Sequence, residues 1–137
     1  STPMSTTGLQ LWHWSCDHGH DGLQRDGVVK PLSLWNPEVA REVVRKNPHH
    51  GWLVRVCWLT DLETPHRAAL GLTSRTISCD RCAYRYRVTD PTPALRWAVW
   101  QRRLPHEERA LLNLSPGAMP MHWWVSEQPL PVIFDPL

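Results

Sequence analysis

Long apolar runs are missing from this 137-residue chain, and none approaches the roughly 18 residues of a membrane-spanning helix. No leader of basic, apolar and small residues opens it. The expected setting is therefore the cytoplasm, without membrane contact and with few disulfides. Lysine is scarce, with two residues against 13 arginines, and the formal charge is only +2. That balance argues against a polycation coating nucleic acid without specificity. Gly-x-Ser-x-Gly is absent, as is a glycine-rich phosphate-cradling loop, so the usual signals of serine hydrolysis and triphosphate binding are missing. Internal repeats and low-complexity segments are absent too.

What remains reads as one small globular domain. Hydrophobic residues make up 42% and charged residues 20%, too apolar for a disordered chain. The length leaves no room for a second independent core and needs no disulfide or metal merely to fold. Residues 1–8 are expected to fray, and 9–137 to form the domain. The expected class is α+β, a small curved β core with short flanking helices. Thirteen prolines favour long ordered loops over a regular sandwich. Nine tryptophans run the length of the chain. Most are expected in the core, where each indole N–H needs a partner, and some are expected to wall a pocket.

Local patterns predict the elements. Leu9 to Cys16 reads as a first strand, with Leu11, His13 and Ser15 on one face. A turn over 17–22 and a short helix to Asp26 follow, ended by Gly27. Val28-Val29 is extended and stopped by Pro31. Asn36-Pro37-Glu38 caps a helix through Lys46. Trp52 to Leu59 reads as an inner strand, Thr64 to Leu70 as a short helix, and 74–79 and 84–89 as strands. Tyr84, Tyr86 and Val88 share one face of the last of these. Ala94 to Arg103 reads as a helix with Leu95, Ala98 and Val99 near one side. A further helical stretch follows Pro105, with Glu107 and Glu108 facing water. His122 to Ser126 and Pro131 to Phe134 close the chain as strands.

Several residues could carry chemistry. His13 sits in a strand between tryptophans and could offer a ring nitrogen to a cleft. Ser15 adds a hydroxyl on the same face. Thr60 ends the central strand, a common address for sites, and Trp58 precedes it. Glu127 follows the aromatic strand at 122–126. Cys79-Asp80-Arg81-Cys82 is half of a zinc site, and Cys16 and His18 are the most attractive other half. Cys57, His20, His49, His50 and His66 are further candidates. Arg81, Arg85, Arg87, Arg96, Arg102 and Arg103 form either a solvated face or a phosphate-facing patch.

Leu11-Trp12-His13-Trp14-Ser15, then Gly22-Leu23 and Gly27-Val28-Val29-Lys30-Pro31, resembles the opening of the ADP-ribosyltransferase superfamily. Trp58-Leu59-Thr60 is similar to that family's second aromatic strand, and Ser126-Glu127 to the place of its glutamate. The likeness covers residues 9–31, 52–61 and 121–134. It lacks a Ser-Thr-Ser strand and a Glu-x-Glu or Gln-x-Glu ending near 127. The resemblance implies a split, curved β core that binds NAD. His13 would bind the nicotinamide-side ribose, Trp58 or Thr60 would line the nicotinamide pocket, Ser15 would add to the cofactor-binding residues, and Glu127, with His13, would be catalytic, Glu127 as the carboxylate. A nucleotide or NAD-like small molecule is the expected partner, and a protein or nucleic acid the expected macromolecular target. Two alternatives stand beside it. One is a non-catalytic protein that binds through a Trp/Arg-rich surface. The other is a zinc-containing nucleic-acid enzyme or a transferase acting on an RNA 2′-phosphate.

Overall fold

The computed structural model describes residues 9–64, 67–70, 82–114 and 116–136. Helix and strand are mixed, and the strands form one curled antiparallel half-barrel. The strands are β1 (Trp12–Ser15), β2 (Val28–Val29), β3 (Cys57–Thr60), β4 (Tyr84–Val88), β5 (Leu95–Arg96), β6 (Trp123–Ser126) and β7 (Leu130–Phe134). Their order across the sheet is β2-β7-β4-β1-β3-β6-β5. The α-helices are α1 (Asp17–Asp26), α2 (Leu32–Trp35), α3 (Pro37–Lys46), α4 (Trp97–Trp100) and α5 (His106–Asn113). Among the described residues no helix is long and apolar enough to cross a membrane.

The ladders are unequal. β1 pairs with β4 over four residues, and β3 pairs with β6 over four. β1 and β3 share one pair, Trp12 with Thr60. The sheet is therefore two well-laced halves meeting at a narrow seam.

Each face of the sheet carries its own core. On one, Leu11, Cys57, Leu59, Tyr86, Val88, Leu130 and Val132 pack with Leu23 of α1. On the other, Trp52, Trp97, Trp100, Trp123 and Val125 pack together, with Trp58 beside them. Trp97 is fully buried at the centre of that cluster. Its ring centroid lies 5.0 Å from Trp58, 5.5 Å from Trp52 and 5.9 Å from Trp100. Such tilted and offset pairs contribute beyond their buried area, each on the order of 1 kcal/mol. Several indole donors are satisfied: Trp97 Nε1 donates to Asn113 Oδ1 at 2.8 Å, and Trp123 Nε1 to the Ala69 carbonyl at 2.7 Å, whereas those of Trp14 and Trp100 are buried without a partner among the described residues, against expectation. Trp35 departs from the expected core and is 56% exposed.

The cap signals match the helices they predict. Asn36 Oδ1 accepts from the Val39 N–H, Pro37 opens α3, and Asn47 ends it. Gly27 ends α1 at φ 69°, a left-handed position that glycine adopts without strain, and its N–H returns to the Leu23 carbonyl. α1 itself begins at Asp17, where a turn was expected. Gly19 in its first turn packs so closely on the Ser15 hydroxyl that any side chain there would strike it.

Other expectations are corrected. The run from Trp52 is a strand only from Cys57; Pro48–Arg55 is a 3-10 helix that buries Gly51, Trp52 and Val54. β3 is nonetheless an inner strand, flanked by β1 and β6. Of the expected helix over 94–103, Leu95 and Arg96 pair with β6, and α4 spans only Trp97–Trp100. Its buried side chains are Trp97 and Trp100, whereas Leu95 and Val99 are exposed. Glu108 is buried rather than solvated. The strand expected over 74–79 lies outside the described residues.

Candidate functional site

His13 stands at the seam. Its partner in β4 is Tyr86, so its side chain leaves the sheet on the α1 side. Beyond the Trp12–Thr60 pair, the His13 ring takes up the next free acceptor on β3: Nδ1 lies 2.8 Å from the Trp58 carbonyl. A carbonyl only accepts, so Nδ1 carries the proton and donates. Nε2 is then the acceptor nitrogen of a neutral ring. Burial pushes the His13 pKa down, and the Trp58 hydrogen bond opposes that only in part. The residue is half-buried.

The same face carries an aromatic wall. Register aligns Phe134, Tyr86 and His13 across β7, β4 and β1. His20 of α1 stacks on Tyr84 at 3.7 Å with a 10° tilt and meets Phe134 edge-on. The Tyr86 hydroxyl donates to the His20 carbonyl at 3.1 Å.

On the β3–β6 side of the seam, Trp124 packs against the same core. Its Nε1 donates to Asp61 Oδ2 at 3.1 Å. The other oxygen, Oδ1, takes the His122 Nδ1–H at 2.7 Å. The Asp61 N–H bonds the His122 carbonyl, extending the β3–β6 ladder by one rung. Arg96 lies over the Trp124 ring, its guanidinium carbon 5.6 Å from the centroid. From strand spacing, the His13 and Asp61 backbones are about 8 Å apart. His13, Asp61, His122 and Trp124 thus form one polar and aromatic face around the seam.

The residues singled out in the sequence are only partly brought together. Ser15 is buried and its hydroxyl donates to the Cys16 carbonyl. Thr60 is buried, and its Oγ1 accepts the Leu62 N–H in an ordinary turn. The Trp58 ring lies in the tryptophan cluster on the opposite face, and it is the Trp58 carbonyl that meets His13. Glu127 is exposed and ion-pairs with Arg103 Nη1 at 3.1 Å, beside Trp100. The described contacts therefore join Glu127 to the tryptophan side of the sheet and not to His13.

The arginine cluster disperses. Arg85 is buried, its Nη2 3.3 Å from Asp135 Oδ2 and its Nε donating to the Asp135 carbonyl. Trp12 Nε1 shares that carboxylate, so Arg85 is a structural tie rather than part of a phosphate patch. Arg96 and Arg103 lie over separate tryptophans. Arg81 lies outside the described residues.

For zinc, Cys79 and the His18 side chain lie outside the described residues, while Cys16 and Cys82 are half-buried. Among the described residues no three His, Cys, Asp or Glu side chains converge in a metal-binding group.

A shallow cleft of about 600 Å³ lies elsewhere, between α3 and the 3-10 helix, lined by Ala40, Arg41, Val44, Arg45, Val54 and Arg55 among others. None of the seam residues lines it.

Sequence reasoning missed Asp61 and His122. It also missed the matching pair His50 and Glu108, where His50 Nδ1 lies 2.7 Å from the carboxylate and Trp52 Nε1 donates to it at 3.2 Å. A visible signal links the two: His50-Gly51-Trp52 and His122-Trp123-Trp124 each bring an imidazole and an indole to one carboxylate. No protein-family model, curated protein or solved structure matches the chain.

Proposed function

We propose that the protein is an NAD-handling domain of the ADP-ribosyltransferase type, with the seam face as its nucleotide side. The observation that carries this is His13: a neutral imidazole, fixed by the Trp58 carbonyl, with Nε2 left to accept a hydrogen bond. Such a nitrogen suits a ribose hydroxyl, which donates one. The narrow β1–β3 junction supports the same reading, since a split curved core is what the family resemblance implies. The residues fit the nucleotide in part. His13 supplies an acceptor and Trp124 a flat ring, while Thr60 and Ser15 spend their hydroxyls within the backbone.

In this reading NAD supplies a ribose whose bond to nicotinamide is labile. His13 orients that ribose, and Glu127 stabilises the positive charge that develops on it. To reach that ribose Glu127 must leave Arg103 and pass round the end of β6 from the tryptophan face to the His13 face. That ion pair is also the observation favouring the second reading, a binding protein without catalysis.

Nicotinamide release from NAD separates them. Glu127→Gln keeps the size and removes the charge, and is expected to lower turnover by roughly 10²-fold with folding intact. NAD should raise the melting temperature of both proteins by mass action. Binding without release supports the non-catalytic reading. Neither binding nor release refutes both the nucleotide site and the transfer.

A further inference from the structure

Asp61 and His122 form a polar centre on the His13 face that the reading above leaves without a task. Asp61 has both oxygens engaged, Oδ1 by His122 Nδ1 and Oδ2 by Trp124 Nε1. The imidazole is thereby held in one orientation and one tautomer, with Nε2 as its remaining acceptor. The ring is not sealed in: the His122 side chain is 31% exposed. A carboxylate behind one ring nitrogen, with the other left at a partly open face, is the usual arrangement of a general base.

We infer that His122 is the base that deprotonates the acceptor in the transfer reaction, and that the acceptor is a hydroxyl or water. This rests on the NAD-transfer reading proposed above. The acceptor oxygen bonds the ribose carbon while the carbon–nitrogen bond to nicotinamide breaks. Nicotinamide departs with that electron pair. The acceptor's proton passes to His122 Nε2 and then to solvent. Asp61 is a positioning residue, acting through His122.

The class of acceptor follows from what surrounds the base. A phosphate or carboxylate acceptor is already an anion: it needs cations and no base. Arg85 is buried against Asp135 and Glu63, and Arg103 is paired with Glu127. Arg96 lies over Trp124 and donates to the Met121 carbonyl at 3.4 Å. Among the described residues, the charged groups placed at His122 are Asp61, bonded to it, and Arg96 on β5, which donates to the adjacent Met121 carbonyl; His13 lies on the same face beyond β3, and α4 contributes none. A hydroxyl, which must lose a proton as it attacks, matches this set.

The test is nicotinamide release from NAD by the whole chain, measured across the pH range in which histidine titrates. Wild type, His122→Asn, Asp61→Asn and His13→Gln are compared, with melting temperature and NAD-induced thermal shift as folding and binding controls. In His122→Asn the amide still donates to Asp61 but cannot take a proton. It should keep the NAD shift, lose about 10²-fold in rate, and lose the fall in rate on the acid side. Asp61→Asn should keep that acid limb and displace it. If His122→Asn does not fold, His122→Ala with added imidazole replaces it, and recovery of rate by imidazole is the expected result. Mass spectrometry of the product should show free ADP-ribose or ADP-ribose on a hydroxyl. Wild-type rate and an unchanged acid limb in a folded His122 variant overturn the inference and leave the NAD reading standing, as does ADP-ribose attached to a phosphate. Absence of NAD binding and nicotinamide release in wild type overturns the NAD reading itself, and the role of His122 with it.

Discussion

Glu107 and Glu108 are adjacent and chemically identical, yet the structure gives them very different weights. Glu108 is 6% exposed, and its carboxylate takes a hydrogen bond from His50 Nδ1 at 2.7 Å and one from Trp52 Nε1 at 3.2 Å. Glu107 is exposed in the same first turn of α5. Glu108→Ala removes a charge-assisted bond, worth about 1.5–3 kcal/mol, and leaves a buried indole N–H unpaired at roughly 1–3 kcal/mol more. The expected loss is about 3–5 kcal/mol, a large share of the roughly 5–15 kcal/mol that holds a domain together. Glu108→Gln retains an acceptor for Trp52 and should lose about 1–2 kcal/mol. Glu107→Ala should stay within about 0.5 kcal/mol of wild type. Urea unfolding followed by far-ultraviolet circular dichroism reads all three. With a slope of about 2 kcal/mol per molar urea, Glu108→Ala should move the midpoint by roughly 2 M. Equal midpoints for Glu107→Ala and Glu108→Ala would refute the buried clamp.

His13 gives a pH dependence. Its folded pKa lies below its unfolded value, so between the two the unfolded chain binds the extra proton. Stability from this group is complete above the unfolded value and falls as pH drops through the window beneath it. His13→Gln should flatten that acid-side loss in urea midpoints measured at successive pH values; an unchanged slope counts against a lowered His13 pKa. Burial pushes the Cys57 thiol up to about 12, with its sulfur against the Ser126 carbonyl. Native protein treated with an alkylating reagent at mildly basic pH should therefore leave Cys57 unmodified until denaturant is added, as peptide mapping would report. Fast modification of Cys57 in the folded chain contradicts its placement. Asn36→Ala should cost about 1 kcal/mol in the same urea assay by removing the cap of α3; no loss would show that the cap contributes nothing in solution.

What the sequence made legible was chiefly local. Asn36, Pro37 and Glu38 announce α3 because a helix start is decided by adjacent backbone donors. Tyr84, Tyr86 and Val88 share a face because strand alternation is strict. The run from Trp52 to Leu59 misleads because a short apolar stretch has no period of its own. Pro48 and Gly51 instead turn its first half into a 3-10 helix. Over 94–103 the aliphatic residues drew attention, whereas Trp97 and Trp100, three apart, are the pair that the core takes in. His13 could be singled out from its own strand. Asp61 and His122 could not be joined from sequence, because 61 residues separate them and only the β3–β6 pairing brings them together.

The seam has a mechanical consequence. The two halves of the sheet behave as leaves bound along a spine, and the spine is one backbone pair plus the imidazole of His13. Load applied to the leaves concentrates there, since each leaf is held by four-residue ladders. The Trp12 and Thr60 amides should exchange with deuterated solvent sooner than those within either leaf, at an opening energy below that of global unfolding. A molecule seated across the spine would clasp both leaves at once, so that its residence and the stiffness of the sheet rise together.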